Sequence, residues 1–248
     1  MSGFWILVVF LLLIFLGMPI AYSMLTTGFL YILTTGSVSM SFIAQATVSG
    51  SASYTVLAIP FFMLAGELMN RSGITKKMFR FAETLVGHIP GGLGHVNVLA
   101  SVLFAGMTGS AAADASGLGN IEIKAMKEAG YDTDFSVGIT AASSTIGPII
   151  PPSSPMVLFG VTASVSIGGL FMGGFTVGLL MALFMMIMVF LIAKKRKYPV
   201  MKRATLGEVG RTFLSALPSL STPVIIVGGM LLGFFTPTQA DAVAVMLA

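Results

Sequence analysis

S-S-T-I-G-P-I-I-P-P-S-S-P, Ser143 to Pro155, sits inside an apolar stretch from Phe135 to about Phe159 and prevents that stretch from being one helix. Pro148, Pro151, Pro152 and Pro155 have no N–H to donate, and each ring collides with the carbonyl four residues earlier, at about 3 kcal/mol per helix-interior proline. The residues ahead of them, Gly147, Ile150, Pro151 and Ser154, are pushed toward extended backbone, which predicts an unwound segment from about Gly147 to Ser154. The carbonyls of Ser144 and Gly147 then lose their helical partners. One half-helix ends near Gly147 with its negative pole. The other starts near Pro155, with Ser154 as N-cap and Pro155 at the first helical position. A cation suits the first end and an anion the second. Irregular backbone at membrane depth persists only where it is buried in protein or lines a polar cavity, and broken helices of this kind hold the midplane sites of secondary transporters.

Composition places the break in a membrane protein. Hydrophobic residues make up 56% of the chain and charged residues 9%, and the mean hydropathy is +0.97, far from the balance of a soluble domain. No Lys or Arg precedes Arg71, and the apolar run from Phe4 to about Leu33 is too long for a signal-peptide core, so it is expected to stay in the mature protein. Cysteine is absent, which removes disulfides, thiol nucleophiles and Cys-based metal sites. The net charge of +4 is concentrated in two basic loops, a membrane-topology signal and not a nucleic-acid footprint.

Phe4 to Leu33 exceeds the ~20 residues needed to cross a bilayer, and Gly17 with Pro19 makes it either one kinked span or two short pieces. Ser51 to Asn70 reads as a span. Arg71, Lys76, Lys77 and Arg80 follow, with Ile74, Met78, Phe81 and Leu85 at helical spacing, an amphipathic helix on the cytoplasmic interface. Ile167 to Ala193 is a long span ended by a second cytoplasmic marker, Lys194 to Lys197. Two crossings, the broken helix and this span, already satisfy the parity between the basic loops. The segment around Asp114 is therefore expected not to cross. It turns near Ser110 to Ser116 as a re-entrant hairpin and returns to water before the charges Glu122, Lys124, Lys127, Glu128, Asp132 and Asp134. Leu206, Val209, Phe213 and Leu217 suggest a second amphipathic helix, and Leu220 to Phe235 a further span. Thr238 and Asp241 have capping-box spacing, and the chain stops at Ala248 with that helix barely begun, as in an incomplete protein.

Ser110, Asp114 and Ser116 at the hairpin tip, with Ser143, Ser144, Thr145, Ser153 and Ser154 at the break, supply neutral oxygens and one carboxylate. Such a set suits a hard, weakly bound monovalent cation and the hydroxyl or carboxylate groups of a small solute. The serines could instead satisfy local backbone or allow close helix packing, and Asp114 could cap the second hairpin helix. Asp241 reads as a helix N-terminal carboxylate and Glu67 as the i,i+4 partner of Arg71. His88 and His95 flank a glycine turn and match no metal motif. No P-loop, H-E-x-x-H or G-x-S-x-G occurs. A channel lined by the break and an intramembrane aspartyl enzyme using Asp114 and Asp241 are the alternatives to a carrier.

G-S-A-A-A-D-A-S-G-L-G (Gly109 to Gly119), G-P-I-I-P-P-S-S-P (Gly147 to Pro155), G-F-F-T-P-T-Q-A-D-A-V-A-V (Gly233 to Val245) and I-P-F-F-M-L-A-G-E-L-M (Ile59 to Met69) together resemble the large membrane subunit of tripartite ATP-independent periplasmic (TRAP) transporters, over its N-terminal half. The resemblance implies an all-α, polytopic, elevator-type fold forming the first half of an inverted repeat. It further implies a sodium-coupled, non-enzymatic importer of small organic acids in the bacterial inner membrane. Its partners would be a small membrane subunit and a periplasmic binding protein, and no cofactor is implied beyond the coupling ion. The expected division is scaffold spans and a first arm helix over 1–93, and a transport-domain half over 94–193 with hairpin 96–128, broken helix 135–159 and span 167–193. A basic loop with a second arm helix over 194–217 and a final segment over 218–248 complete it. Sodium would lie among Ser110, Asp114, Ser144, Thr145, Gly147 and Pro148, and substrate against Ser143, Pro151, Pro152, Ser153 and Ser154. Gln239 and Asp241 depart from the family pattern, which usually shows Glu and a small residue there.

Overall fold

The computed structural model describes residues 3–36, 39–51, 60, 64, 67, 68, 72–236, 239, 242, 243, 245 and 246. All regular structure among them is helical. Most of the expected span from Ser51 to Asn70, and the residues Arg71, Thr238 and Asp241, lie outside the described residues. The chain forms two compact units, Met1–Ser53 and Tyr54–Ala248. Helix α4 (Ile74–Val86) belongs to the second unit.

In the first unit, α1 (Gly3–Phe15) and α2 (Ile20–Thr35) pack on each other, and α3 (Met40–Ser51) packs on α2. The chain reverses at Gly17, whose φ of +85° is open to glycine and strained for other residues. Of the two readings open for Phe4 to Leu33, the structure adopts two helices, of 13 and 16 residues.

The second unit is built around α5 (Gly92–Thr108), which touches α4, α6 (Ala111–Gly117), α7 (Gly119–Glu128), α8 (Thr133–Ser144), α10 (Ile167–Arg196) and α11 (Leu206–Leu231). Small residues make this crowding feasible. A Cβ on Gly94 would lie 2.7 Å from Val189 Cγ1, and one on Gly106 2.8 Å from Pro223 Cβ, so α10 and α11 meet the α5 backbone directly. Phe104, Met78, Val96, Leu118, Met126 and Ile146 are fully buried around it. Helix α9 (Ser154–Thr162) leans on α10. Among the described residues two helices are long and apolar enough to cross a membrane, α10 and most of α11. The 30 residues of α10 extend about 45 Å at 1.5 Å per residue, beyond the ~30 Å of hydrocarbon.

The expected boundary between an arm helix ending at Leu217 and a span starting at Leu220 is absent: α11 runs unbroken through Pro218 and Pro223. Ser221 and Thr222 fold their hydroxyls back onto the Pro218 carbonyl, at 2.7 and 3.3 Å. The start of α11 is fixed by a capping box missed in the sequence, with Glu208 N donating to Thr205 Oγ1 at 3.3 Å and Thr205 N to Glu208 Oε2 at 2.8 Å. Helices α4 and α11 are tied by Phe81 and Phe213, whose rings meet tilted at 5.6 Å, and by a 3.1 Å bond between Thr84 and Thr212. Near the end of the chain Thr236 and Gln239 exchange reciprocal bonds of 3.0 and 3.4 Å, placing a capping box two residues ahead of the expected Thr238 and Asp241 pair.

An aromatic clasp closes the end of the unit where α8 begins and α10 stops. The Tyr131 and Tyr198 rings stack at 4.3 Å, and Phe135 meets Tyr198 at 5.2 Å. The Tyr198 hydroxyl donates to Asp132 Oδ2 at 2.6 Å, and Arg196 pairs with the same oxygen. Tyr198 and then Arg196 hold the Asp132 carboxyl below its usual range, near 3.9 for a free side chain at about 25 °C. A carboxylate with a depressed folded pKa contributes stability above its unfolded pKa and loses it as pH falls through the folded one. Melting curves between pH 7 and pH 3 are therefore expected to show the clasp contribution intact at pH 7 and fading only below about pH 4. Asp132→Asn should lower the melting temperature at pH 7 and remove that part of the acid dependence; an unaltered acid limb would contradict the assignment.

Candidate ion and solute site

Helix α5 ends because Gly109 takes the left-handed conformation, φ +56°, and its N–H closes on the Ala105 carbonyl. Ser110 is extended, and its Oγ accepts from Ala113 N at 3.4 Å, capping α6. The chain then returns along α5. Asn97 on the outgoing limb bonds Glu122 on the returning one at 2.6 Å, a pair centred on the Gly109–Ser110 turn. The expected hairpin is present, with its turn at the first residue of the expected tip.

The break is present as well. Helix α8 stops at Ser144, residues 145–153 are non-helical, and α9 starts at Ser154. Ser153 is the N-cap, one residue ahead of the expected Ser154, and its hydroxyl donates to the Pro148 carbonyl at 2.6 Å and accepts no bond from the helix N–H groups. Ser144 O accepts from Gly147 N at 3.1 Å, so it is not the bare carbonyl expected of it. Tight i→i+3 turns satisfy this oxygen where a full helical turn cannot form. The Gly147 carbonyl receives no hydrogen bond among the described residues.

Hairpin tip and break are in backbone contact. A Cβ on Gly109 would lie 2.7 Å from the Pro152 carbonyl oxygen and 2.9 Å from Ser153 Cα. One on Gly147 would lie 3.1 Å from the Ser110 carbonyl carbon. Two sequence segments 40 residues apart are thus joined through glycine. Gly109→Ala adds a methyl group against immobile backbone at positive φ, a destabilisation of about 2–5 kcal/mol. It is expected to lower the melting temperature by prising the tip from the break; a melting temperature equal to that of the wild type would overturn this account.

Asp114 lies on α6 behind the tip and is 2% exposed. Neither carboxylate oxygen has a hydrogen-bond partner, and Thr108 Oγ1 nearby in the chain is equally unmatched. Ser101 and Ser144 are the hydroxyls close enough to bear on the Asp114 carboxyl group, though neither completes a bond to it. The capping alternative for Asp114 is not realised, since Ser110 occupies that role. Around it runs a buried polar chain: Ser101 Oγ donates to Ser143 Oγ at 3.1 Å, Ser143 Oγ to Asn97 Oδ1 at 2.7 Å, and Ser144 Oγ to the Thr140 carbonyl at 2.8 Å. Pro151, Pro152 and Ser153 are buried beside the tip, and Ser154 is half-buried. Thr145 is exposed with its hydroxyl folded onto the Ala142 carbonyl, and exposed Ser116 bonds the Ala113 carbonyl, so neither joins the cluster.

Three residues escaped the sequence reading. Glu122, grouped with the solvated charges, is 1% exposed, and Asn97, inside a run read as apolar, is fully buried. His95, beside the glycine turn, is 3% exposed with neither ring nitrogen bonded. A cleft of about 390 Å³ between α1 and α2 and one of about 610 Å³ beside Ile149, Met156 and Val177 are lined almost wholly by apolar groups and do not suit a polar solute. Among the described residues no group of three or more His, Asp or Glu side chains is placed to hold a metal ion, and the pairing of Asp114 with Asp241 lies outside what is described.

The structure thus brings a helical hairpin by its tip against a proline-broken helix, with a buried carboxyl group behind the contact. The chain belongs to the family described as tripartite ATP-independent periplasmic transporter, DctM component, whose model matches residues 7–248. It is 49% identical over 236 residues to the sialic acid TRAP transporter large permease protein SiaM of Vibrio cholerae, covering 95% of this chain and 55% of that one. The 2,3-diketo-L-gulonate TRAP transporter large permease protein YiaN of Escherichia coli is 40% identical, covering 94% of this chain and 55% of its own. The C4-dicarboxylate TRAP transporter large permease protein DctM of Pseudomonas aeruginosa is also 40% identical, over 88% and 51%. The chain thus spans about half the length of these curated relatives.

Proposed function

We propose that this chain supplies one half of the transport pathway of a sodium-coupled TRAP permease that imports small organic acids across the bacterial inner membrane. The observation that carries the reading is the Asp114 carboxyl group, buried and without a hydrogen-bond partner beside the contact of hairpin tip and helix break. A buried carboxylate requires a compensating charge. Sodium fits, held by Asp114 with Ser110, Ser144 and the free Gly147 carbonyl. Thr145 and Pro148 contribute less, since the hydroxyl of one and the carbonyl of the other are already engaged. A substrate carboxylate lies at the start of α9, whose first N–H groups face Ser153 and Ser154, with Ser143, Pro151 and Pro152 forming the wall. The three relatives above carry the names of carboxylate solutes, which supports the substrate class.

The hairpin is re-entrant, α10 and α11 cross the bilayer, and the basic residues 194–197 face the cytoplasm. Helix α4 and the first turns of α11 brace a transport domain that moves as an elevator. A small membrane subunit and a periplasmic binding protein complete the importer. The test is uptake of a panel of radiolabelled organic acids into proteoliposomes holding the full-length permease with its small subunit. Uptake is expected to need both a sodium gradient and the binding protein. Flux indifferent to both would favour a channel lined by the break and overturn the proposal.

A further inference from the structure

Glu122 and Asn97 have no part in the transport reading, yet both are buried at the centre of the second unit. Asn97 is saturated. One amide N–H goes to Glu122 Oε2 at 2.6 Å and the other to Thr140 Oγ1 at 2.7 Å, while Oδ1 accepts the Ser143 hydroxyl at 2.7 Å. One side chain on α5 therefore joins the returning limb of the hairpin to the first half of the broken helix. Thr140 passes its own proton to the Ser136 carbonyl at 2.8 Å, so its oxygen is free to accept from Asn97. Ser143, having donated to Asn97, accepts from Ser101 at 3.1 Å. Ser143 has a second, longer acceptor in the Thr140 carbonyl at 3.1 Å, and its choice of Asn97 depends on the carboxamide being held by an acceptor at position 122.

We infer that Glu122 and Asn97 are positioning residues for the cation site: they orient the Ser143 and Ser101 hydroxyls so that Ser101 donates away from Asp114. The inference rests on the sodium reading above. Without an acceptor at 122, the Asn97 carboxamide is free to turn over and donate to Ser143. Ser143 then donates to the Thr140 carbonyl, 3.1 Å away, its oxygen is engaged by Asn97, and the Ser101 hydroxyl turns to the Asp114 carboxyl group, where it competes with a cation. Loss of Glu122 should therefore weaken sodium binding although Glu122 never touches sodium. A carboxamide at 122 still accepts from Asn97, so Glu122→Gln should preserve the orientation.

The experiment uses the purified full-length permease in nanodiscs. Thermal melting is followed against NaCl, with choline chloride replacing it at constant ionic strength, together with amide hydrogen exchange. Glu122→Leu fills the volume and removes the acceptor. It is expected to raise the half-saturating sodium concentration about tenfold and to speed exchange at residues 140–147, whereas Glu122→Gln stays within about twofold of wild type on both. A purely structural role would lower the sodium-free melting temperature and leave half-saturation unmoved, which overturns the inference. Glu122→Gln behaving like Glu122→Leu overturns it too, because charge and not orientation would then matter. Should Glu122→Leu fail to accumulate, Thr140→Val removes the second Asn97 anchor and is expected to shift half-saturation in the same direction; no shift overturns the inference. Should wild type show no sodium response at all, the sodium reading falls. Exchange at 140–147 then decides positioning alone: faster in Glu122→Leu but not in Glu122→Gln upholds it, and unchanged in both overturns it.

Discussion

Asp114→Asn is expected to abolish sodium-driven uptake, by about 100-fold or more, while raising the melting temperature of the sodium-free protein. Both effects follow from one geometry. The carboxyl group is 2% exposed and its oxygens have no hydrogen-bond partner. A buried polar group left unmatched costs about 1–3 kcal/mol, and more when charged. The isosteric carboxamide relieves the charge and so stabilises the empty protein. It also removes the anionic ligand. Wild type should gain stability with sodium as RT ln(1 + [Na⁺]/Kd), about 2.7 kcal/mol at a hundredfold excess over Kd. The Asn variant should gain almost none. Melting curves in NaCl and in choline chloride, paired with uptake, separate the outcomes. A full sodium shift in Asp114→Asn would remove Asp114 from the site. Such opposition of stability and activity is characteristic of functional sites.

Replacing Pro148 and Pro151 together with Ala should cost uptake a comparable factor, through the backbone. The two rings oppose continuation of α8 by about 3 kcal/mol each in a helix interior. Without them, helical geometry can extend from Ser144 toward Pro152, carrying Gly147 out of its contact with Ser110. Opposing the change are the packing of Ile150 against Gly178 and the approach of the Ile149 carbonyl to Gly174. Amide exchange should show new protection at 148 and 151, and sodium-dependent uptake should be lost. Undiminished uptake by the doubly substituted permease would mean that the unwound segment is not part of the site.

The break was legible because proline acts on its own neighbours: the lost N–H and the ring clash are local, and no partner is needed to deduce them. The end of α10 at a basic cluster was legible locally as well, whereas the hairpin turn, expected over Ser110 to Ser116, falls at Gly109 and Ser110. Cap positions were less so. Ser153 and Ser154 are chemically equivalent, and the bond from Ser153 to the Pro148 carbonyl, which singles out the former, exists only in the folded loop. The continuity of α11 through Pro218 and Pro223 was hidden, since packing on α4 and α5 sustains a helix that propensity would interrupt.

What the sequence determined by itself was the membrane class, the broken helix, the hairpin and the resemblance that named the family, all carried by composition, local backbone chemistry and contiguous motifs. Tertiary structure alone decided which polar groups are buried and what faces them. Glu122 sits in a run of charges, and its partner Asn97 stands 25 residues earlier, across the hairpin. Ser143 and Thr140 reach Asn97 from a third helix. Burial and hydrogen bonding between distant segments depend on how helices pack, so no local pattern could distinguish this glutamate from its solvated neighbours.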